Sequence, residues 1–402
     1  MTDFTDELLS REPDPAALRR GEAIYRRATG TSPYAPADDS PRWGRRDHHA
    51  EFNQLCMARI YYSAGLVRYN DVSPAYRDEI GGRVDLMQMA RDYIALTGQT
   101  PPHIDDKNAI LTRALTSSDF PDLISNVVNR ALLDGFDSAP ECWPRFTRYL
   151  PVRDFRQFDV RRGASMPAPE EVEERGEVKP ATLHDDGKEQ AAVGNYLQRI
   201  SITRAAILNA DVQALTITPY EAGRAVSRAI GTAVFNLLTA NAALGDGVAL
   251  FHADHGNLDA SAAAPSVDEV NTAFGLMGAQ QNAAGEYLNL KPRFIIAGPA
   301  YASTLSVVRS ATNAGNTDGE SDGNIITLID SRLSSSTKWF TSADQIHGGV
   351  LVAVLEGSEG QPRLERMTNA PSGAPDGVHF RLGYAFRVLC GNHKALTYNA
   401  GA

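Results

Sequence analysis

Only three cysteines occur in the 402 residues, Cys56, Cys142 and Cys390, and they stand far apart with no Cys-x-x-Cys spacing. That pattern argues against a disulfide framework and a cysteine-ligated zinc site, and it suits a reducing compartment. Long apolar runs are missing as well, since none approaches the ~20 residues a membrane-spanning helix needs. The opening MTDFTDELLSREPDP is acidic and polar, so no secretory signal is expected there. Lysine is scarce, six against 33 arginines, the first being Lys107. Arginine's rigid fork suits bidentate pairing with carboxylates at subunit interfaces, although genomic base composition produces the same skew. A net charge of −10 argues against tight, sequence-independent binding to nucleic acid, whose affinity comes from neutralised phosphates.

Catalytic signatures are equally scarce. There is no Gly-x-Ser-x-Gly elbow, no phosphate-cradling glycine loop and no His-Glu-x-x-His pair. Two short constellations remain. His252, Asp254 and His255, within VALFHADHGNL (248–258), are good ligand types for zinc, and a metal-dependent hydrolase built on them is the alternative from a different class. Further ligands would have to come from His347, His379 or His393, none of which stands at a metal-binding spacing. The plainer reading is a polar turn following a helix. Asp47-His48-His49 has the residue types of a phosphoesterase signature, but its position at a predicted helix start makes Asp47 a cap.

The order of elements predicts an α+β chain without a regular βαβ repeat. Residues 1–100 read as helical, with helices over Asp14–Arg27, Asp47–Tyr69 and Pro74–Leu96, and Gly98–Pro102 closes the block. Ser118 caps a predicted helix carrying Leu123, Ile124, Val127, Val128, Ala131 and Leu132, which Gly135 ends. Extended chain follows. Met166–Ala192 then carries eight acids and three bases with almost no large apolar residue, so it cannot build a core of its own. With its strand-like flanks the stretch fits a projecting polar hairpin, and composition alone fits a disordered loop equally well. Thr218-Pro219-Tyr220-Glu221 looks like a capping box opening a helix over 219–240, ~33 Å long. Small residues on its stripe, Gly223 and Gly231, would let a sheet approach. A second capping box, Ser266 to Glu269, opens another helix. Strands are expected at Phe294–Ala297, Ile325–Ile329, Val350–Leu355, Arg363–Met367, Val378–Leu389 and Lys394–Tyr398.

Four segments carry a resemblance: ILTRALTSSDFPDLISNVVNRALLDGF (110–136), TPYEAGRAVSRAIGTAVFNLLTAN (218–241), VALFHADHGNL (248–258) and KPRFIIAGPAYASTLSVV (291–308). In their order the chain resembles the major capsid proteins of tailed bacteriophages with the Hong Kong 97-type fold, in particular the capsid half of prohead protease fusions. The resemblance implies an N-terminal arm over 104–150, an E-loop over 151–203 and a peripheral domain with its spine helix over 204–265. An axial domain would span 266–346, and the peripheral strands would return over 347–402. Residues 1–103 would be a scaffold-like or additional helical block, since no protease constellation is visible there. The implied protein is structural rather than enzymatic and takes no cofactor or metal. It would form pentamers and hexamers of a shell enclosing double-stranded DNA, made in the host cytoplasm, with portal and decoration proteins as further partners and no membrane. An encapsulin-type nanocompartment is the neighbouring alternative. Candidate subunit-interface residues are Arg161, Arg162, Glu170, Glu171, Glu173, Glu174, Arg175, Lys179 and Lys188. Crosslinking of Lys179 or Lys188 to Asn392 has no motif behind it.

Overall fold

The computed structural model describes residues 45–402 other than 66, 75, 78–79, 82–83, 97–98, 104, 117–118, 163–165, 167–168, 170, 173–179, 181–186, 210–211, 314–324, 357–359 and 368–375. Its helices are α1 (Arg45–Ser63), α2 (Leu86–Leu96), α3 (Lys107–Thr116), α4 (Asp119–Asp137), α5 (Arg204–Leu208), α6 (Val212–Ala240), α7 (Val267–Gly278) and α8 (Ala302–Asn313). The strands are β1 (Thr147–Val152), β2 (Phe158–Arg161), β3 (Lys188–Ala191), β4 (Gly194–Thr203), β5 (Leu258–Asp259), β6 (Phe294–Ala297), β7 (Ile326–Ile329), β8 (Trp339–Ser342), β9 (Val350–Leu355), β10 (Arg363–Arg366), β11 (Gly377–Cys390) and β12 (Leu396–Asn399). The chain is α+β. It divides into two compact units, one of residues 1–138, 197–225 and 362–383, the other of 139–196, 226–361 and 384–402. Helix α6 and strands β4 and β11 run from one unit into the other. No helix among the described residues is long and apolar enough to cross a membrane.

The first unit is mainly helical. Phe52 of α1 meets Tyr93 of α2 edge-on at 4.9 Å, and Tyr93 meets Phe120 of α4 at 5.8 Å. Tyr61 donates from its hydroxyl to the Val127 carbonyl at 3.0 Å. Helices on either side of residue 103 therefore share one core. The intervening loop is tied from both sides, Arg91 donating to the Pro102 carbonyl and Arg113 to that of Thr100. None of the described residues between 74 and 85 is helical, and α2 starts only at Leu86 with the Asp85 carboxylate accepting from the Met87 amide. Asp47 lies inside α1 rather than at a cap. The Ser118 cap and the Asp14–Arg27 helix fall outside the described residues.

Two glycines do different work from that expected. Gly135 does not end α4, which runs on to Asp137. A Cβ at Gly135 would lie 1.9 Å from the Tyr220 carbonyl oxygen, and one at Gly223 would lie 2.0 Å from that of Leu132. The pair lets α4 and α6 touch backbone to backbone, so Gly223 serves a helix contact and not a sheet contact. Helix α6 itself begins at Val212, which places Pro219 inside it. The sequence pattern of proline in a first turn is real, but burial of Leu215 and Thr216 extends the helix backward past it. Proline's missing N–H leaves the Leu215 carbonyl without its helical donor. On the outer stripe Ala229 is exposed, while Phe235 is buried and joins the core. The β10–β11 pair is antiparallel, and β4 pairs with β11, where Ser201 and His379 lie 2.9 Å apart.

The second unit holds most of the sheet. β9 lies between β1, parallel, and the second half of β11, antiparallel. Val350–Val354 of β9 are buried at every position, which is why this strand reads as a continuous apolar run instead of an alternating one. The other five-stranded sheet has the order β5-β12-β8-β6-β7. β6 and β7 are parallel, joined through α8, and Ile295, Ala297, Leu305 and Trp339 fill their core with Val270 of α7. Ser266 caps α7 as expected, accepting from the Glu269 amide at 3.2 Å.

A matched pair of substitutions checks the helix contact. Gly223→Ala is expected to destabilise the protein by ~1–3 kcal/mol or more in chemical denaturation, because its Cβ has no room. Gly275→Ala, inside α7 with nothing within 4 Å of its Cβ, is expected to stabilise by ~0.5–1 kcal/mol.

Candidate functional site

The polar hairpin is rooted in the second unit. β2 and β3 pair antiparallel, Phe158 opposite Ala191 and Arg161 opposite Lys188. Beyond that last pair the Arg162 amide donates to the Gly187 carbonyl at 2.9 Å, closing the root. The Arg162 side chain turns inward and is fully buried, its Nη2 3.0 Å from Asp246 Oδ2. Glu189 accepts from the Gly245 amide at 2.8 Å, and a Cβ on Gly245 would lie 2.3 Å from the Lys188 carbonyl oxygen. By contrast Lys188 and Asp159 pair in solvent, where such a bridge contributes little.

Asp246 is held from behind as well. Its Oδ1 accepts from the Val248 amide at 2.9 Å, and His255 Nε2 stands 3.2 Å from its Oδ2. Burial pushes the Asp246 carboxyl up, but the Val248 amide, His255 and Arg162 together hold it below the usual carboxylate range. His255 Nδ1 faces the Leu250 carbonyl at 3.1 Å, and its ring lies against His393, centroids 4.2 Å apart.

VALFHADHGNL is thus a built turn. The His252 ring nitrogen accepts from the Asp254 amide at 3.2 Å, Ala253–His255 make one 3-10 turn, and Gly256 closes it with a φ of 62°. Asn257, wholly buried, ties the block together: it accepts from the His252 amide and donates to the carbonyls of Leu250 and His393. Gln280 donates to the carbonyls of His255 and Gly256. His252 and Asp254 point to solvent while His255 points inward, so the three do not converge on one point. Among the described residues no group of three or more His, Cys, Asp or Glu could hold a metal. The three cysteines are free, and burial pushes each thiol up, Cys390 to about 12.

A second buried ionic cluster was not visible in the sequence. Arg332 bridges Glu141 and Asp330, each at 2.8 Å, and lies over the Phe235 ring of α6, 5.5 Å from its centroid. Glycine at 231 leaves room for it, since a Cβ there would lie 2.8 Å from its guanidinium.

The phage capsid protein family matches residues 188–399, from the returning hairpin strand to the last strand. The chain belongs to that family. No curated protein matches. Among solved structures the chain is similar to a virus-like particle from Pyrococcus furiosus, at 16% identity over 68% of this chain and 97% of that one, with a TM-score of 0.42. It is similar also to the procapsid of bacteriophage JBD30, at 13% identity over 71% and 76%, TM-score 0.41. A third is the encapsulin complex of Synechococcus elongatus, at 11% identity over 65% and 88%, TM-score 0.38.

In this phage capsid family member the candidate interface residues fall into three groups. Arg161, Glu171 and Lys188 are exposed. Glu170, Glu173, Glu174, Arg175 and Lys179 lie outside the described residues. Arg162 stands apart, its side chain enclosed within its own subunit and paired to Asp246. Arg161 and Arg162 differ because an extended chain sends successive side chains to opposite faces. Large apolar side chains do stand in solvent on the second unit, Ile346 at 77%, Val307 at 69% and Tyr287 at 64% exposure, as well as Tyr196 and Phe155.

The Asp246 pairing has a pH signature. A carboxylate depressed in the fold contributes stability that is present above its unfolded value, near pH ~4, and lost as pH falls through the folded value. Asp246→Asn is therefore expected to lower stability by roughly 1–3 kcal/mol at pH 7. The gap to wild type should close in thermal melts as pH drops below about 4.

Proposed function

We propose that this chain is the major capsid protein of a tailed phage, with the Hong Kong 97-type arrangement, and that its role is structural and not catalytic. The observation that carries the reading is the family match over residues 188–399, which includes the hairpin's return strand, the whole of α6, every strand of the β5-β12-β8-β6-β7 sheet and all but β1 of the other five-stranded sheet. Copies of the chain assemble as pentamers and hexamers into a closed shell around double-stranded DNA, within the host cytoplasm. Portal and decoration proteins are its further partners. Residues 151–203 act as the E-loop, α6 as the spine helix, 266–346 as the axial domain and 347–402 as the returning strands.

Two features of the subunit support assembly. Exposed Ile346, Val307 and Tyr287 are wasteful on a solitary protein but natural where copies cover one another. A polar hairpin with few apolar residues suits a contact with a neighbour, and many weak contacts repeated around a closed shell add up. The negative net charge keeps packaged DNA from adhering to the wall.

Negative-stain microscopy of the purified chain is expected to show uniform hollow shells or capsomers; a persistent monomer would contradict the proposal. Shells recovered with a single protein cargo in place of DNA would favour an encapsulin-type compartment. Deleting 166–186 is expected to leave subunit folding intact by circular dichroism while preventing closed shells, and normal shells from that variant would contradict the hairpin's role.

A further inference from the structure

The hairpin root is joined to the rest of the second unit by a buried charge, not by apolar packing alone. Arg162 sits at the point where the chain departs into residues 163–186 and returns at Gly187. Its guanidinium is enclosed at 0% exposure and meets Asp246 in the turn that follows α6. A buried ion pair is weak evidence for stability, because a well-packed apolar side chain of similar volume often serves as well. Its characteristic contribution is uniqueness: only one register and one direction satisfy both charges.

The surroundings fit that role. Gly245 allows the Lys188 backbone to approach closer than any side chain would permit, and its amide is taken up by Glu189. Asp246 is not free to follow the hairpin, since the Val248 amide and His255 hold it. His255 is in turn fixed between the Leu250 carbonyl and the His393 ring. The chain of contacts runs from hairpin to the turn over His252–Gly256, the block that stands out most in the sequence.

We propose that Gly245 and Asp246, backed by His255, form a socket for Arg162 and Glu189 that sets the direction in which the hairpin leaves the subunit, and thereby the uniformity of the assembled shell. Arg162, Asp246 and His255 act as positioning residues, through the hairpin root that they hold. The effect on shell uniformity rests on the assembly reading above; the socket itself does not.

The test is Arg162→Met, which keeps the volume and removes the charge, with Arg162→Lys as the conservative variant and Glu189→Gln as a milder change at the root. Hydrogen exchange on isolated subunits is expected to quicken at residues 158–161 and 188–191 by about tenfold or more in Arg162→Met. Exchange in β6 and β9 should stay at wild-type rates. Microscopy should show shells of mixed diameter or unclosed sheets, and Arg162→Lys should restore much of the uniformity. Glu189→Gln should fold normally and quicken exchange at the root to a smaller degree. Unchanged exchange at the root in both Arg162→Met and Glu189→Gln would overturn the socket. Uniform shells of wild-type diameter from Arg162→Met would overturn its link to shell geometry. A wild-type chain that forms no shells would contradict the assembly reading instead, with the exchange rates still deciding the socket.

Discussion

Arg162 against Asp246 is the interaction on which the proposed function depends most, because it ties the root of the polar hairpin to the turn that follows α6. The segment between Met166 and Ala192 carries eight acids and three bases and almost no large apolar residue, so it brings little apolar surface of its own. The pair is embedded in a run of backbone-directed contacts: Glu189 on the Gly245 amide, Asn257 on the carbonyls of Leu250 and His393, Gln280 on those of His255 and Gly256. Each of these satisfies a polar group that burial would otherwise leave costly. The second ionic cluster, Arg332 with Glu141 and Asp330, follows the same logic beside Phe235.

The two units use different means to the same end. In the first, aromatic edges and two glycines bring α4 and α6 into backbone contact, and Tyr61, Phe52 and Tyr93 bind the N-terminal helices to α4. The described helices before residue 103 are therefore part of that unit's core. In the second, the core is sheet, with β9 buried throughout and α7 and α8 contributing to the layer around Trp339. Belonging to the phage capsid protein family accounts for the extent of the later elements, since the match begins at β3 and ends in β12.

Much of this was legible in the sequence wherever the signal was local. Phe294–Ala297 and Val350–Leu355 are short apolar runs bounded by turn residues, and both are strands with the expected limits. Ser266 and Glu269 form a local cap, and the structure keeps it. Signals that depend on distant partners were misread or missed. Pro219 has the sequence setting of a first-turn proline, yet packing of Leu215 carries the helix back to Val212. Gly135 resembles a helix stop, yet it marks the approach of Tyr220. Arg162 resembles its exposed neighbour Arg161, and only its burial against Asp246, 84 positions away in the chain, separates the two. For the His252-Ala253-Asp254-His255 stretch, local chemistry predicted a turn, but nothing local revealed that the turn braces a hairpin root.

The central claim is that isolated chains are shell subunits, and sedimentation velocity over a range of protein concentrations tests it most directly. The account predicts subunits or capsomers giving way to a discrete, much larger particle as concentration rises, with few species between. A single component of monomer mass at every concentration would contradict it.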